Sequence, residues 1–151
     1  MNMELYIMIT VEIHDDIFKH FEAKKYDAFA HGCNCYHIMG GGIAYFVSTK
    51  YPQALEADKK TIKGDKSKLG QFSVAKSEFG DIINMYTQFI TGRDLHIDKL
   101  RQCFENLNKT YKGKVVAIPK IGCGIAGGDW DTVKNIINEV TPDVEIDVYY
   151  V

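Results

Sequence analysis

The chain has 151 residues, of which 46% are hydrophobic and 25% are charged. These values are ordinary for a globular protein, and the length predicts one domain over residues 1–151. The net charge of −2 argues against general nucleic-acid binding, which favours a basic face. The apolar runs are too short to cross a bilayer and no secretory signal is recognisable, so we expect a cytoplasmic protein with reduced thiols and no membrane partner.

Apolar periodicity predicts strands and helices that alternate along the chain. The elements predicted in the first half are one or two strands within 5–13, a helix at 17–23, a strand at 26–33, and helices at 41–50 and 52–62. Those predicted in the second half are strands at 69–76 and 81–88, a helix at 97–111, a strand at 114–119, a helix at 130–140 and a strand at 144–151. This alternation indicates a three-layer α/β fold, and the short turn between the two middle strands predicts an antiparallel pair within a mixed sheet.

The first glycine-rich segment follows the predicted strand 26–33 and contains Gly40, Gly41 and Gly42. A strand, a glycine loop and a helix in this order present backbone N–H groups to an anion. A tight turn needs one glycine, so three favour close approach of a ligand. The segment is neither the dinucleotide-binding fingerprint nor a P-loop, because it lacks the G-x-G-x-x-G spacing and the lysine.

The second glycine-rich segment follows the predicted strand 114–119 and has four glycines within residues 122–128. Asp129 comes next, either as the N-cap of the following helix or as an acid or base at the mouth of a cleft. Ligands of α/β proteins bind at the carboxyl ends of strands. The two loops therefore predict one ligand whose phosphate is held between them.

Several polar side chains near the first loop allow two interpretations each. Asn34 either forms a turn or binds a sugar hydroxyl, and His31 is either a buried core histidine or a catalyst. Asp16 either caps a helix or accepts a hydrogen bond from an adenine amino group. Cys33 and Cys35 flank Asn34, but no matching Cys or His pair is present, so no metal site is predicted.

Three groups of residues together resemble the macrodomain family over essentially the whole chain. They are His31-Gly-Cys-Asn-Cys, then Gly40-Gly-Gly-Ile-Ala-Tyr45 with Lys50-Tyr-Pro-Gln-Ala54, and finally Ile118-Pro-Lys-Ile-Gly-Cys-Gly-Ile-Ala-Gly-Gly-Asp-Trp130. Within the family, the chain is most similar to the small ADP-ribose-1''-phosphate phosphatases of fungal and phage origin. The resemblance implies a three-layer α/β/α fold with a mixed, mostly parallel sheet of six or seven strands. A phage origin, which the Lys-, Asn-, Ile- and Tyr-rich composition suits, would make the compartment the host cytoplasm.

The resemblance also implies a small-molecule ligand, an ADP-ribose derivative, with no cofactor and no metal. The implied activity is hydrolysis of ADP-ribose 1''-phosphate, with His31, Asp129 and Asn34 as the catalytic residues. The implied ligand contacts are Asp16 and Ile17 at the adenine, Asn34, Gly40, Gly41, Gly42 and Ile43 at the distal ribose, and Gly122, Cys123, Gly124, Ile125, Ala126 and Gly127 at the diphosphate.

Two other functions are consistent with the same residues. One is an ADP-ribosyl-glycohydrolase or a deacetylase of O-acetyl-ADP-ribose, and the other is a module that binds ADP-ribose, or a related nucleotide, without catalysis. The lysine-dependent glycohydrolase branch of the family is disfavoured. Gln88 stands where that branch has its lysine, and Ala126 stands where it has the partner aspartate.

Overall fold

The computed structural model describes residues 10–151, which form six strands and five helices of the α type. The strands are β1 (Val11–His14), β2 (Ala28–Cys33), β3 (Phe72–Ser77), β4 (Gly80–Tyr86), β5 (Val115–Pro119) and β6 (Glu145–Tyr150). The helices are α1 (Ile17–Glu22), α2 (Gly42–Lys50), α3 (Pro52–Lys59), α4 (Ile97–Thr110) and α5 (Trp130–Val140). The predicted order of strands and helices is confirmed for these residues, and residues 5–9 of the first predicted strand lie outside them.

The six strands form one sheet in the order β1-β6-β5-β2-β4-β3. All neighbouring pairs are parallel except β3 and β4, which form the predicted antiparallel hairpin. The prediction of a mixed, mostly parallel sheet is therefore confirmed. Because parallel strands end at the same edge, the segments after β1, β2, β4, β5 and β6 converge there.

Helices cover both faces of the sheet, which confirms the three-layer architecture. On one face, α4 and α5 bury side chains at helical spacing, including Leu100, Phe104 and Val133. On the other face, α1, α2 and α3 bury residues such as Phe21 and Val47 against the opposite side of the same strands. Successive residues of β2 alternate between these two cores, as a strand buried on both faces requires.

Several elements are shorter than predicted, and local hydrogen bonds explain two of these differences. Helix α3 ends at Lys59, not at residue 62, because the Thr61 hydroxyl and N–H both donate to the carbonyl of Asp58 and turn the chain. Strand β2 begins at Ala28, after Asp27 has bonded to Val115 through both its N–H and its carboxylate. The boundaries of α5 agree with the prediction at both ends.

A buried hydrogen-bond chain begins at His31, which lies on the face of β2 that α2 and α3 cover. Asn84 donates from its amide nitrogen to the Ala54 carbonyl and the Ser73 hydroxyl, each at 3.0 Å. Its amide oxygen therefore accepts from His31 Nε2 at 2.7 Å, which makes Nε2 the protonated nitrogen of the ring. The His31 ring is fully buried and neutral in this arrangement.

The hydrogen-bond chain continues from Ser73 through Tyr86 to helix α3. The Tyr86 hydroxyl contacts Ser73 Oγ at 2.9 Å and donates to Asp58 Oδ1 at 2.7 Å. Asp58 is 1% exposed, so its carboxylate depends on this donor for part of its stabilisation. Ala54 and Asp58 both belong to α3, so the chain fixes this helix, and with it α2, on the sheet.

The second glycine-rich loop is closed by the Gly128 N–H, which donates to the Gly122 carbonyl at 2.7 Å. A methyl group on Gly128 would lie 2.5 Å from Leu95 Cδ2 and 2.6 Å from that carbonyl oxygen. One on Gly127 would lie 2.6 Å from Arg93 Cγ. These glycines are therefore required by packing against the segment 88–96.

The segment 88–96 is held in shape by two of its own side chains. Gln88 Nε2 donates to the carbonyls of Ile90 and Gly92, at 2.7 and 3.1 Å. Asp94 Oδ2 accepts from the N–H groups of Phe89 and Ile90, each at 3.0 Å. These backbone hydrogen bonds lower the pKa of Asp94, and the bond from Ile90 has the largest effect. The segment thus forms a firm support for the glycine loop that packs on it.

We predict that His31 makes stability fall with acidification. Burial lowers its pKa from 6.5 to about 4, so the unfolded chain takes up a proton that the folded protein excludes. The free energy of unfolding should therefore decrease as the pH falls from about 6.5 to about 4, by about 3 kcal/mol from this residue. Urea denaturation at several pH values measures the slope. His31→Gln, which can still donate to Asn84, should reduce that slope, and an unchanged slope would contradict the assignment.

We also predict opposite outcomes for two glycine substitutions in the second loop. Gly128→Ala should destabilise the protein by about 1–3 kcal/mol, because its methyl group meets both Leu95 and the backbone. Gly124→Ala is the matched control, since a methyl group there has no neighbour within 4 Å. It should leave stability within about 0.5 kcal/mol of the wild type. Thermal unfolding of the two variants checks this, and equal losses would refute the packing argument.

Candidate functional site

A cleft of about 1060 Å³ lies at the edge of the sheet where the parallel strands end. Its volume suits a ligand of nucleotide size. The segments after β1, β2, β5 and β6 contribute to its wall. The predicted site residues that line it are Asp16, Ile17, Gly41, Gly42, Ile43, Gly122, Cys123, Gly124, Ile125, Ala126 and Asp129.

The first glycine loop presents backbone donors to the cleft. Gly41 is the N-cap of α2, and it has no side chain to satisfy the first N–H groups of that helix. Among residues 10–151, the N–H groups of Gly41 and Gly42 donate to no acceptor. Gly42 has a φ of +59°, a conformation that favours glycine. The start of α2 is therefore equipped to bind an anion.

The second loop presents another set of backbone donors. Its closure uses the N–H groups of Gly127 and Gly128, which donate to carbonyls within the loop. Within the described part of the chain, the N–H groups of Gly124, Ile125 and Ala126 have no acceptor. Consecutive unpaired N–H groups in a turn form a concave anion-binding surface. The two loops together offer such donors from opposite sides of one cleft.

The loops approach each other closely across the cleft. Ile125 Cδ1 of the second loop lies 3.1 Å from the position that a methyl group on Gly41 would occupy. A methyl group at position 41 would fit only if Ile125, which is 62% exposed, shifted by a few tenths of an ångström. The glycine at this position therefore allows the two loops to approach each other closely.

Two lysines line the cleft, and each already has a carboxylate partner. Lys50 Nζ lies 3.5 Å from Glu22 Oε2, and Lys120 Nζ lies 3.7 Å from Glu12 Oε1. Hydrogen bonding to Lys134 and Trp130 lowers the pKa of Glu12, so this carboxylate is ionised. Because both cations are paired, a bound phosphate would depend mainly on the unpaired backbone donors.

Three aspartates line the cleft and differ in how their oxygens are used. Asp15 is fully engaged, with Oδ1 accepting from the Asp16 N–H and Oδ2 from His20, each at 2.8 Å, and its pKa is lowered, mostly by His20. Asp16 caps α1 through Oδ1, and Asp129 caps α5 through Oδ2. Among residues 10–151, the second oxygen of each of these two caps accepts no hydrogen bond. Each carboxylate can therefore cap a helix and still contact a ligand.

His31 does not line the cleft, and its side chain is completely buried. Its ring points into the core between the sheet and α3, where Nε2 is bonded to Asn84 and Cys33 Sγ is 3.7–3.8 Å from the two ring nitrogens. Alternation along β2 separates His31 from Gly32, the residue of this strand that lines the cleft. The alternative of a buried core histidine is the one that the structure supports.

Asn34, Gly40 and Gly127 are also absent from the cleft wall. The Asn34 amide is occupied within its own loop, where Oδ1 accepts from the Tyr36 N–H and Nδ2 donates to the Ile38 carbonyl. This is the turn-forming role that the sequence left open. The φ of Gly127, +83°, and its packing against Arg93 account for that glycine without a ligand.

The sequence interpretation missed several residues of the cleft wall. Gln88 lines it, although it had been compared only with the lysine of another branch. Trp130 and Tyr150 also line it, and Lys120 Nζ lies 5.7 and 4.5 Å from their ring centroids. Neither aromatic residue was assigned to the site from the sequence. Trp130 is the first residue of α5 and Tyr150 is the last residue of β6, and this place at the ends of elements beside the cleft was the signal that could have identified them.

Residues 10–151 contain neither a candidate metal site nor a candidate membrane-spanning helix. No group of three or more His, Cys, Asp or Glu side chains in this range is arranged to hold a metal ion. The helices formed by these residues are also all too short or too polar to span a membrane.

A family model and two relatives each match most of this chain. The Macro domain model matches residues 30–137. A 17.5 kDa protein of the tk-vs intergenic region of Enterobacteria phage T4 is 37% identical over 148 residues, covering 92% of this chain and 94% of the relative. The ADP-ribose 1''-phosphate phosphatase of Scheffersomyces stipitis is 28% identical over 171 residues, covering 92% and 98%.

The solved structures give the same fold. The macrodomain of Thermus aquaticus DarG superposes with a TM-score of 0.79 at 19% identity, covering 95% of this chain and 99% of that one. The residues matched by the Macro domain model include most of β2, both glycine loops and most of α5, which build much of the cleft. The chain therefore belongs to the Macro domain family.

Proposed function

We propose that this protein binds the ADP-ribose group in the cleft and hydrolyses ADP-ribose 1''-phosphate to ADP-ribose and phosphate. The observation that carries the proposal is the pair of glycine loops, whose unpaired N–H groups line one cleft from two sides. Such donors suit a ligand with several phosphoryl oxygens. Fungal relatives named ADP-ribose 1''-phosphate phosphatase, 26–29% identical to this chain, support the choice of substrate.

The order of the strands gives the ligand a direction. Asp16 and Tyr150 lie at the β1 and β6 end of the cleft, where the free oxygen of Asp16 can accept from the adenine amino group. The N–H groups of Gly124 to Ala126 would bind the diphosphate. The terminal ribose would then lie beside Gly41 and Gly42, towards the end formed by β2 and β4.

The proposed reaction is attack of water on the phosphorus of the 1''-phosphate. The bond between phosphorus and the ribose oxygen breaks, the ribose oxygen leaves as a hydroxyl, and inorganic phosphate is released. Asp129 is the one proposed catalytic residue that lines the cleft, and its free oxygen can accept the proton of the attacking water. The backbone N–H groups would stabilise the negative charge that develops on the phosphoryl oxygens.

A second candidate function is an ADP-ribose-binding module without catalysis. The observation that favours it is the composition of the cleft wall, which includes no histidine among the described residues. In that case Asp129 would act only as the cap of α5, and ligand binding would occur without release of phosphate.

We predict that Asp16→Asn weakens ADP-ribose binding about 10-fold, because an amide nitrogen replaces the oxygen offered to the adenine amino group. Asparagine is an equally good N-cap, so stability should be unchanged. Calorimetric titration with ADP-ribose measures the affinity. Asp65→Asn is the matched control, since Asp65 caps the short 3₁₀ turn Lys66–Lys68 in the same way but lies outside the cleft. Equal affinities for the two variants would contradict the adenine assignment.

We predict that Asp129→Asn lowers kcat for phosphate release from ADP-ribose 1''-phosphate by about 10²-fold or more, the range lost with a general base. Because asparagine retains the cap of α5, melting temperature and ADP-ribose affinity should change little. His31→Gln should retain activity, since His31 does not line the cleft. If neither the wild type nor the variants release phosphate although they still bind ADP-ribose, the result would favour the binding module.

A further inference from the structure

The hydroxyl of Thr87 lacks a hydrogen-bond partner although it is completely buried. Thr87 is 0% exposed, and its Oγ1 is one of only two buried side-chain oxygen or nitrogen atoms in residues 10–151 without a partner. The backbone of the residue is fully engaged, with its N–H near the carbonyls of Cys33 and Met85 and its carbonyl accepting from the His96 N–H. An unpaired buried hydroxyl costs about 1–3 kcal/mol, so its presence calls for a physical reason.

The position of this hydroxyl relates it to the cleft. Thr87 directly follows β4 and lies beside Gly32 of β2, which lines the cleft. A methyl group on Gly32 would lie 3.0 Å from Thr87 Oγ1 and 3.2 Å from Ile121 Cγ2. Ile121 also lines the cleft. The hydroxyl therefore lies just behind the floor, in the space left by the missing side chain of Gly32 and bordered by Ile121.

This part of the floor belongs to the end of the cleft formed by β2 and β4. It is opposite the end at which Asp16 and Tyr150 are found. The neighbouring side chains of the wall offer few other free hydrogen-bond donors at this end. The amide nitrogen of Gln88 is bonded to the segment 88–96, and the Asn34 amide is occupied within its loop. Thr87 is the nearby side-chain donor that no protein acceptor uses.

We propose that Thr87 is a ligand-binding residue whose hydroxyl donates a hydrogen bond to an oxygen of the terminal ribose when the ligand fills the cleft. The inference rests on the proposed ADP-ribose binding and deepens it. The Ile121 side chain would have to rotate to open the hydroxyl to the cleft, and Gly32 leaves the required space. The hydroxyl is thus unfavourable for the stability of the free protein and favourable for binding.

The experiment compares Thr87→Val and Thr87→Ser with the wild type. Valine keeps the shape and removes the hydroxyl, whereas serine keeps the hydroxyl. Without ligand, Thr87→Val should raise the melting temperature by about 2–4 °C, because an unpaired polar group is removed. In calorimetric titrations, Thr87→Val should bind ADP-ribose about 10-fold more weakly, and Thr87→Ser should bind within about 3-fold of the wild type.

Titration with ADP, which lacks the terminal ribose, locates the contact. ADP should bind Thr87→Val and wild type equally, whereas an equal loss for ADP and ADP-ribose would overturn the assignment to the terminal ribose. Thr141→Val is the matched control, because the buried Thr141 hydroxyl donates to the Ile137 carbonyl at 2.6 Å, far from the cleft. It should lower the melting temperature and leave ADP-ribose binding unchanged.

The remaining outcomes separate this inference from the proposed function. If the wild type binds ADP-ribose and Thr87→Val binds it equally well, the inference is wrong and the proposed function stands. A lower melting temperature for ligand-free Thr87→Val would also overturn it, since the hydroxyl would then have a partner inside the protein. If the wild type binds no ADP-ribose, the proposed function fails and this inference fails with it.

Discussion

The parallel pairing of β2 with β5 and β4 is the constraint on which the rest of the site depends. It places the carboxyl ends of these strands at one edge, so that two glycine loops far apart in the sequence meet across one cleft. Backbone N–H groups at this edge cannot be satisfied by further strand pairing, because the strands have ended. A site made of unpaired donors is therefore a direct consequence of the topology, and an oxygen-rich anion is the partner that it suits.

The two loops reach their positions by different means. The second loop is braced from behind by Leu95 and Arg93, which pack on its glycines, and that segment is itself held by Gln88 and Asp94. The first loop is positioned through α2 and α3, which the buried chain from His31 to Asp58 ties to the sheet. His31 thus supports the site from the core side without contacting it.

Most of the fold and many residues of the cleft wall could be predicted from the sequence. Helix α5 could be predicted to the residue, because Asp129 is a strong cap and the apolar spacing is regular. Glycine content identified both loops, but it could not separate the glycines required by Leu95 from those required by a ligand. That distinction depends on which segment packs behind the loop, and Leu95 is 27 residues before Gly122. The direction of the His31 side chain could not be predicted for a similar reason, since a residue in a strand buried on both faces can point either way.

Among residues 10–151, several backbone N–H groups of the cleft are unpaired, whereas its charged side chains already have partners. Its two lysines are paired with glutamates, while Asp16 and Asp129 use one oxygen each to hold a helix N-terminus. Under the proposed function, a phosphate would be bound by fixed backbone dipoles that need no flexible cation, so little side-chain entropy would be lost on binding. The aspartates are left to act on the neutral parts of a ligand, such as an amino group or a water molecule. Anion binding by backbone N–H groups is physically compatible with the acidic side chains of the cleft, and a net charge of −2 is therefore no obstacle to the proposed phosphorylated ligand.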